Sequence, residues 1–184
     1  MKHVTTIALM LNVAIGSVYA QQTPVHMTFS GTAAASPIDL RQPNTSTGEE
    51  DLAGNGTVGP FTFRVVKASA VSPQASNTCS GLYFPTVAGA GIFRFQDGSL
   101  LNATLTEGGD CIDLVHMEAH CTWIFKINGG TGRFQNASGA LTLTETARPV
   151  LADGLNNPVF FSETGEFTGT ISGVATGEGS QDVR

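Results

Sequence analysis

The groups best able to do chemistry in this 184-residue chain lie between Cys111 and Cys121, where Asp113, His116, Glu118 and His120 follow in one short run. On a continuous strand, alternate residues share a face, so His116, Glu118 and His120 would offer three metal-ligating side chains together. On a helix, Glu118 neither directly follows the first histidine nor directly precedes the second, so neither helical zinc-protease order is met. A hairpin turning near His116 is the preferred reading; it leaves that histidine in solvent, and no metal or other cofactor is expected. The same hairpin sets Cys111 opposite Cys121 on neighbouring strands, within bridging reach. It favours a Cys111–Cys121 disulfide over a bridge from either to Cys79, the remaining one of the three cysteines after Gln21.

Carboxyl pairs for acid–base work could come from Glu145, Glu163 and Glu166, which would suit the mouth of a barrel. Glutamates on the outer faces of strands are the commoner arrangement, and that is how these are read. His26 alternates onto the polar side of its strand. The run Gly129-Gly130-Thr131-Gly132-Arg133-Phe134 lacks the Gly-Lys-Ser/Thr ending of a phosphate loop and has no helix after it to hold an anion. It reads as a tight turn between two strands, with Gly129, Gly130, Gly132 and Gly139 bending the backbone and Phe134 pinned in the core. No Gly-x-Ser-x-Gly elbow is present, and no catalytic residue is assigned.

The elements that must position these residues are strands. Thr is abundant, Gly numbers 22, and long helical-phase runs of Ala, Leu, Glu and Lys are missing. Val25, Met27 and Phe29 alternate with polar residues, as do Phe61, Phe63 and Val65. Asp97-Gly98 marks a hairpin between strands at 92–95 and 100–106. Further strands fall at 122–127, 141–146 and 159–172. The polar stretches Arg41 to Gly59 and Arg148 to Pro158 read as loops, as does Cys79 to Gly89. About eight strands at this spacing indicate an all-β fold, a single antiparallel barrel or sandwich. A transmembrane barrel is disfavoured, because the strands are short and lack aromatic girdles.

Residues 1–20 read as a cleavable signal peptide: a charged start, a short apolar stretch, and Val18 and Ala20 before a cut at Gln21. Residues 21–175 form the domain and 176–184 a flexible tail. Secreted or periplasmic residence follows, with no integral membrane segment after cleavage. The formal charge of −6 becomes −7 without Lys2, and scattered basic residues make nucleic acid a poor partner.

The Gly129-to-Phe134 run, followed by Asn136-Ala137-Ser138-Gly139, resembles a turn and strand shared by the allene oxide cyclase and dirigent β-barrels. With Phe93-Arg94-Phe95-x-Asp97-Gly98-Ser99 and Thr164-Gly165-Glu166-x-Thr168-Gly169-x-Ile171-Ser172-Gly173, it also resembles a group of exported, uncharacterised microbial β-barrel proteins. The resemblance spans roughly residues 54 to 173 and implies an eight-stranded antiparallel barrel with a central cavity. In the cyclase and dirigent families that cavity positions an apolar reactive molecule. The matched positions are turn and core positions, so no catalytic residue carries over. Three expectations follow: a barrel that binds a small apolar ligand or a surface partner, a cofactor-free cyclase or isomerase, and a structural envelope protein. Oligomeric state is not specified by the sequence.

Overall fold

A computed structural model describes residues 21–175; the expected signal peptide and tail lie outside the described residues. Eight strands follow in order: β1 Gln22–Ala35, β2 Thr45–Gly56, β3 Phe61–Ala70, β4 Leu82–Phe95, β5 Leu100–Asp113, β6 Glu118–Gly130, β7 Ser138–Ala152 and β8 Pro158–Ser172. Each pairs antiparallel with its sequence neighbour, and β1 closes on β8, so the sheet is a barrel with no free edge.

Three expected loops are corrected. Most of Arg41 to Gly59 is β2; Arg148 to Ala152 belong to β7 and Pro158 opens β8, so that only 153–157 are a connection; and Cys79 to Gly89 enters β4 at Leu82. The charges and glycines that suggest a loop are compatible with a strand here. Glu49 and Asp51 point out to Arg64, at 3.0 and 3.8 Å, while Glu50 and Leu52 point in.

Alternation sends one side chain in two to the interior, and the two halves of the barrel are filled differently. Toward one end the inward residues are aromatic. Phe63 lies 4.1 Å from Phe93 between ring centroids, Phe93 4.9 Å from Phe167, and Phe95 4.6 Å from Phe134. Burying each such ring is worth roughly 1.5–3 kcal/mol, so this half supplies much of the stability. The turn 129–134 closes that end. Gly129 and Gly132 adopt φ of +78° and +58°, which a side chain would strain, and Phe134 is fully buried beneath Arg133.

At the other end the inward residues are small: Ala33, Gly48, Ala119 and Ala147. Among the described residues no side chain fills the space they leave, and this end forms the mouth. The connections 36–44, 71–81, 114–117 and 153–157 all lie there, carrying exposed Ile38, Val71, Leu114, Val115 and Leu155.

Candidate functional site

Between the aromatic half and the mouth lies a layer of ionisable side chains, set there by the same alternation. Along β8 the inward order is Phe167, Glu163, Phe161; along β7 it is Leu143, Glu145, Ala147; along β6 it is Trp123, Cys121, Ala119. Residues Asp110, Cys121, Glu145 and Gly165 are successive cross-strand partners around the wall. Gly165 leaves the room that Glu145 needs, since an added Cβ would fall 2.7 Å from the Glu145 Cβ. Asp110 is inward because β5 slips register between Leu105 and Glu107, a bulge that moves the inward set from Leu101, Ala103 and Leu105 to Asp110 and Ile112.

Lys67 from β3 is the cation of this layer. Its Nζ lies 2.7 Å from Glu50 Oε1, in an ion pair without the alignment of a good hydrogen bond, and 3.4 Å from Asp110 Oδ1. It also sits 3.4 Å from the centroid of the Trp123 ring, a cation–π contact in a desolvated setting. Trp123 is oriented from behind, donating Nε1–H to Thr86 Oγ1 at 3.1 Å.

Burial disfavours the ammonium, but Asp110 and Glu50 outweigh it and hold the Lys67 pKa well above its ordinary value. The carboxyls move the same way for the opposite reason. Burial raises Glu50 despite Lys67, and burial with the neighbouring Glu50 and Glu163 carboxyls pushes Glu145 well up. Glu163, buried and beside Glu50, is raised to about 9. Near neutral pH the layer therefore holds a charged lysine and a protonated Glu163. The Cys121 thiol, buried beside Asp110, is also raised well above its usual range and is no ready nucleophile.

Above this layer the mouth encloses a cavity of about 310 Å³. Its walls include Ala33, Ala119, Ala147, Ile112 and Phe161; Lys67, Asp110, Cys121 and Glu163 are the ionisable groups that reach it. The arrangement can hold an apolar body and meet a polar atom with a neutral carboxyl and an ammonium.

The residues singled out from the sequence are placed differently. His116 is in the 114–117 turn, its Nδ1 2.7 Å from Asp113 Oδ2, and this contact lowers the Asp113 pKa to about 2. Glu118 and His120 lie on the outer side of β6, where Glu118 meets His120 at 3.1 Å and Arg148 at 2.7 Å. Those carboxylate oxygens are already engaged, and the three residues do not form a common ligand set. Among the described residues, the metal-ligating groups that converge are Glu50, Glu145 and Glu163.

Glu145 and Glu163 are inward rather than on outer faces; only Glu166 faces out, bonded to His26 at 2.8 Å. The Cys111–Cys121 disulfide is corrected: Cys111 bridges Cys79, with Cα atoms 5.5 Å apart, and Cys121 is unbridged and buried. The hairpin exists, but its register pairs Cys111 with His120 and Cys121 with Asp110. A one-residue offset sends the two sulfurs to opposite faces of the sheet. Lys67 and Glu50 were missed altogether. Lys67 continues the inward series Phe61, Phe63, Val65, and that parity was the available signal.

The fold and this layer define a closed eight-stranded antiparallel barrel with a charged interior and an open apolar mouth. No protein-family model matches the chain, and no curated protein matches it in sequence. Among solved structures it is similar to the pterocarpan synthase dirigent protein GePTS1, at 14% identity and a TM-score of 0.40, over 90% of this chain and 99% of that one.

Proposed function

We propose that the barrel binds a small, largely apolar molecule in its mouth, with Glu163 and Lys67 meeting the ligand's polar atom. The observation that carries this reading is the roughly 310 Å³ cavity with aliphatic walls and ionisable groups at its base. A core packed only for stability would fill such a space with side chains, as the aromatic half does. The exposed Ile38, Leu114, Val115 and Leu155 beside the mouth offer an apolar molecule a path of entry, or a surface partner a contact. The Cys79–Cys111 bridge supports an oxidising compartment, and secreted or periplasmic residence is part of the proposal.

The test is the emission of N-phenyl-1-naphthylamine, a neutral probe that brightens in apolar surroundings. Saturable brightening is expected, and Ala147→Phe, which plugs the mouth, should abolish it. No brightening, or brightening that the plug leaves unchanged, overturns the reading.

A second reading, a cofactor-free cyclase or isomerase, draws support from Glu163. A carboxyl with a pKa of about 9 keeps its proton at neutral pH and can donate it to a ligand oxygen within the cavity. Turnover of any ligand that survives in wild type but not in Glu163→Gln would select this reading over simple binding.

A further inference from the structure

The charged layer is unbalanced in a way that the ligand cavity does not explain. Among the described residues, four carboxyl groups, Glu50, Asp110, Glu145 and Glu163, face one ammonium, that of Lys67. Lys67 reaches Glu50 and Asp110. It leaves both oxygens of Glu145 and Oε2 of Glu163 without a hydrogen-bond partner among the protein atoms. Glu145 is only 5% exposed, so solvent does not make up the difference. A buried carboxylate is costly unless it is paired, protonated or bound to a metal.

One oxygen from each of Glu50, Glu145 and Glu163 lies within 4.8 Å of the other two. A cation held by oxygens at about 2.0–2.6 Å draws its ligands to separations within that span. We propose that Glu50, Glu145 and Glu163 bind a divalent cation of the hard, oxygen-seeking class, magnesium, calcium or manganese, beneath the mouth cavity. Three carboxylate oxygens without nitrogen or sulfur select that class over zinc or copper. Lys67 stays with Glu50 Oε1 and Asp110, which leaves Glu50 Oε2 to join the Glu145 and Glu163 oxygens that no other described residue satisfies. Glu163 lines the cavity, so the ion has a route from the mouth. Without the ion, protons take its place on these carboxyls, so ion binding releases protons and tightens as pH rises. The site stands whether or not an organic molecule enters the cavity above it.

Trp123 makes the test direct. It is the only tryptophan, and its ring lies 3.4 Å from Lys67 Nζ, which itself is 2.7 Å from Glu50. Terbium(III), a luminescent stand-in for calcium, bound at this distance would be sensitised by indole excitation. At pH 8 the folded protein should give saturable terbium emission that calcium or manganese displaces. Glu145→Gln and Glu163→Gln should each weaken the apparent affinity at least tenfold, with circular dichroism confirming the barrel. Glu49→Gln, on the outer face, should leave it unchanged.

Absence of sensitised emission at millimolar terbium overturns the proposal. So does emission that survives in both Glu145→Gln and Glu163→Gln, which would place the ion on surface acids. If Glu145→Gln does not fold, Glu163→Gln alone decides. Retained brightening of N-phenyl-1-naphthylamine with no terbium signal sinks the cation site and leaves the ligand reading intact.

Discussion

The Lys67 ammonium lies 3.4 Å from the centre of the Trp123 ring, joining the only indole of the chain to the charged layer of the barrel. Removing that cation leaves Glu50 and Asp110 buried without their partner. Breaking a buried ion pair in this way costs about 3–5 kcal/mol. Lys67→Met should lose stability on that scale in denaturant titration, and Lys67→Met/Glu50→Gln should recover part of it. An unaltered midpoint in the single variant would show that the contact does not stabilise the barrel.

The pH dependence of stability follows from Glu163. Its pKa is near 4.5 when unfolded and about 9 when folded, so between those values the folded state holds a proton that the unfolded chain has released. Stability from this group is complete below the lower value and is lost as pH rises through the upper one. The slope is at most about 1.4 kcal/mol per pH unit for one group. Thermal melts from pH 5 to pH 9 should decline, and Glu163→Gln should flatten the decline. A melting temperature that rises toward pH 9 would contradict the protonated state of the layer.

Thiol chemistry separates the three cysteines. Native protein should react slowly with a thiol reagent, because Cys121 is buried and its thiol pKa is raised. Unfolding without reductant should release one reactive thiol, mapped by peptide analysis to Cys121. Cutting the Cys79–Cys111 bridge, which spans a sequence separation of 32, should cost about 3–4 kcal/mol by loss of chain constraint. Labelling at Cys79 or Cys111 before reduction would contradict this pairing.

The aromatic half and the mouth should respond separately. Phe134→Ala empties a fully buried ring site against Phe95 and should cost about 3–5 kcal/mol in denaturant unfolding. Since Phe134 closes the end opposite the mouth, probe binding by the remaining folded protein should hardly change. A selective loss of probe binding would mean that the two halves are coupled.

Much of the barrel was legible because period-2 alternation is local: Phe61, Phe63 and Val65 declare their face without reference to any partner. The site was not, because three of its determinants are relational. Glu50 sits in a run, Glu49-Glu50-Asp51, whose composition suggests a loop until pairing with β3 fixes which of the three points inward. Asp110 is inward because of the bulge between Leu105 and Glu107 on β5, which no residue type announces. The Cys111 pairing turned on whether the hairpin has an even or odd number of residues at its tip, a difference of one that reverses both side chains. Glu145 and Glu163 read as outward because glutamates are commoner on outer faces, yet Leu141, Leu143, Glu145 and Ala147 share one parity and one face.

The pairing of Gln22 with Ser172, where β1 closes on β8, lies at the end remote from the mouth. A tether attached through either side of that closure holds the barrel by its base. On a sensor surface, or fused to a second module, the cavity would then stand upright, facing the bulk solution like a cup set on its foot.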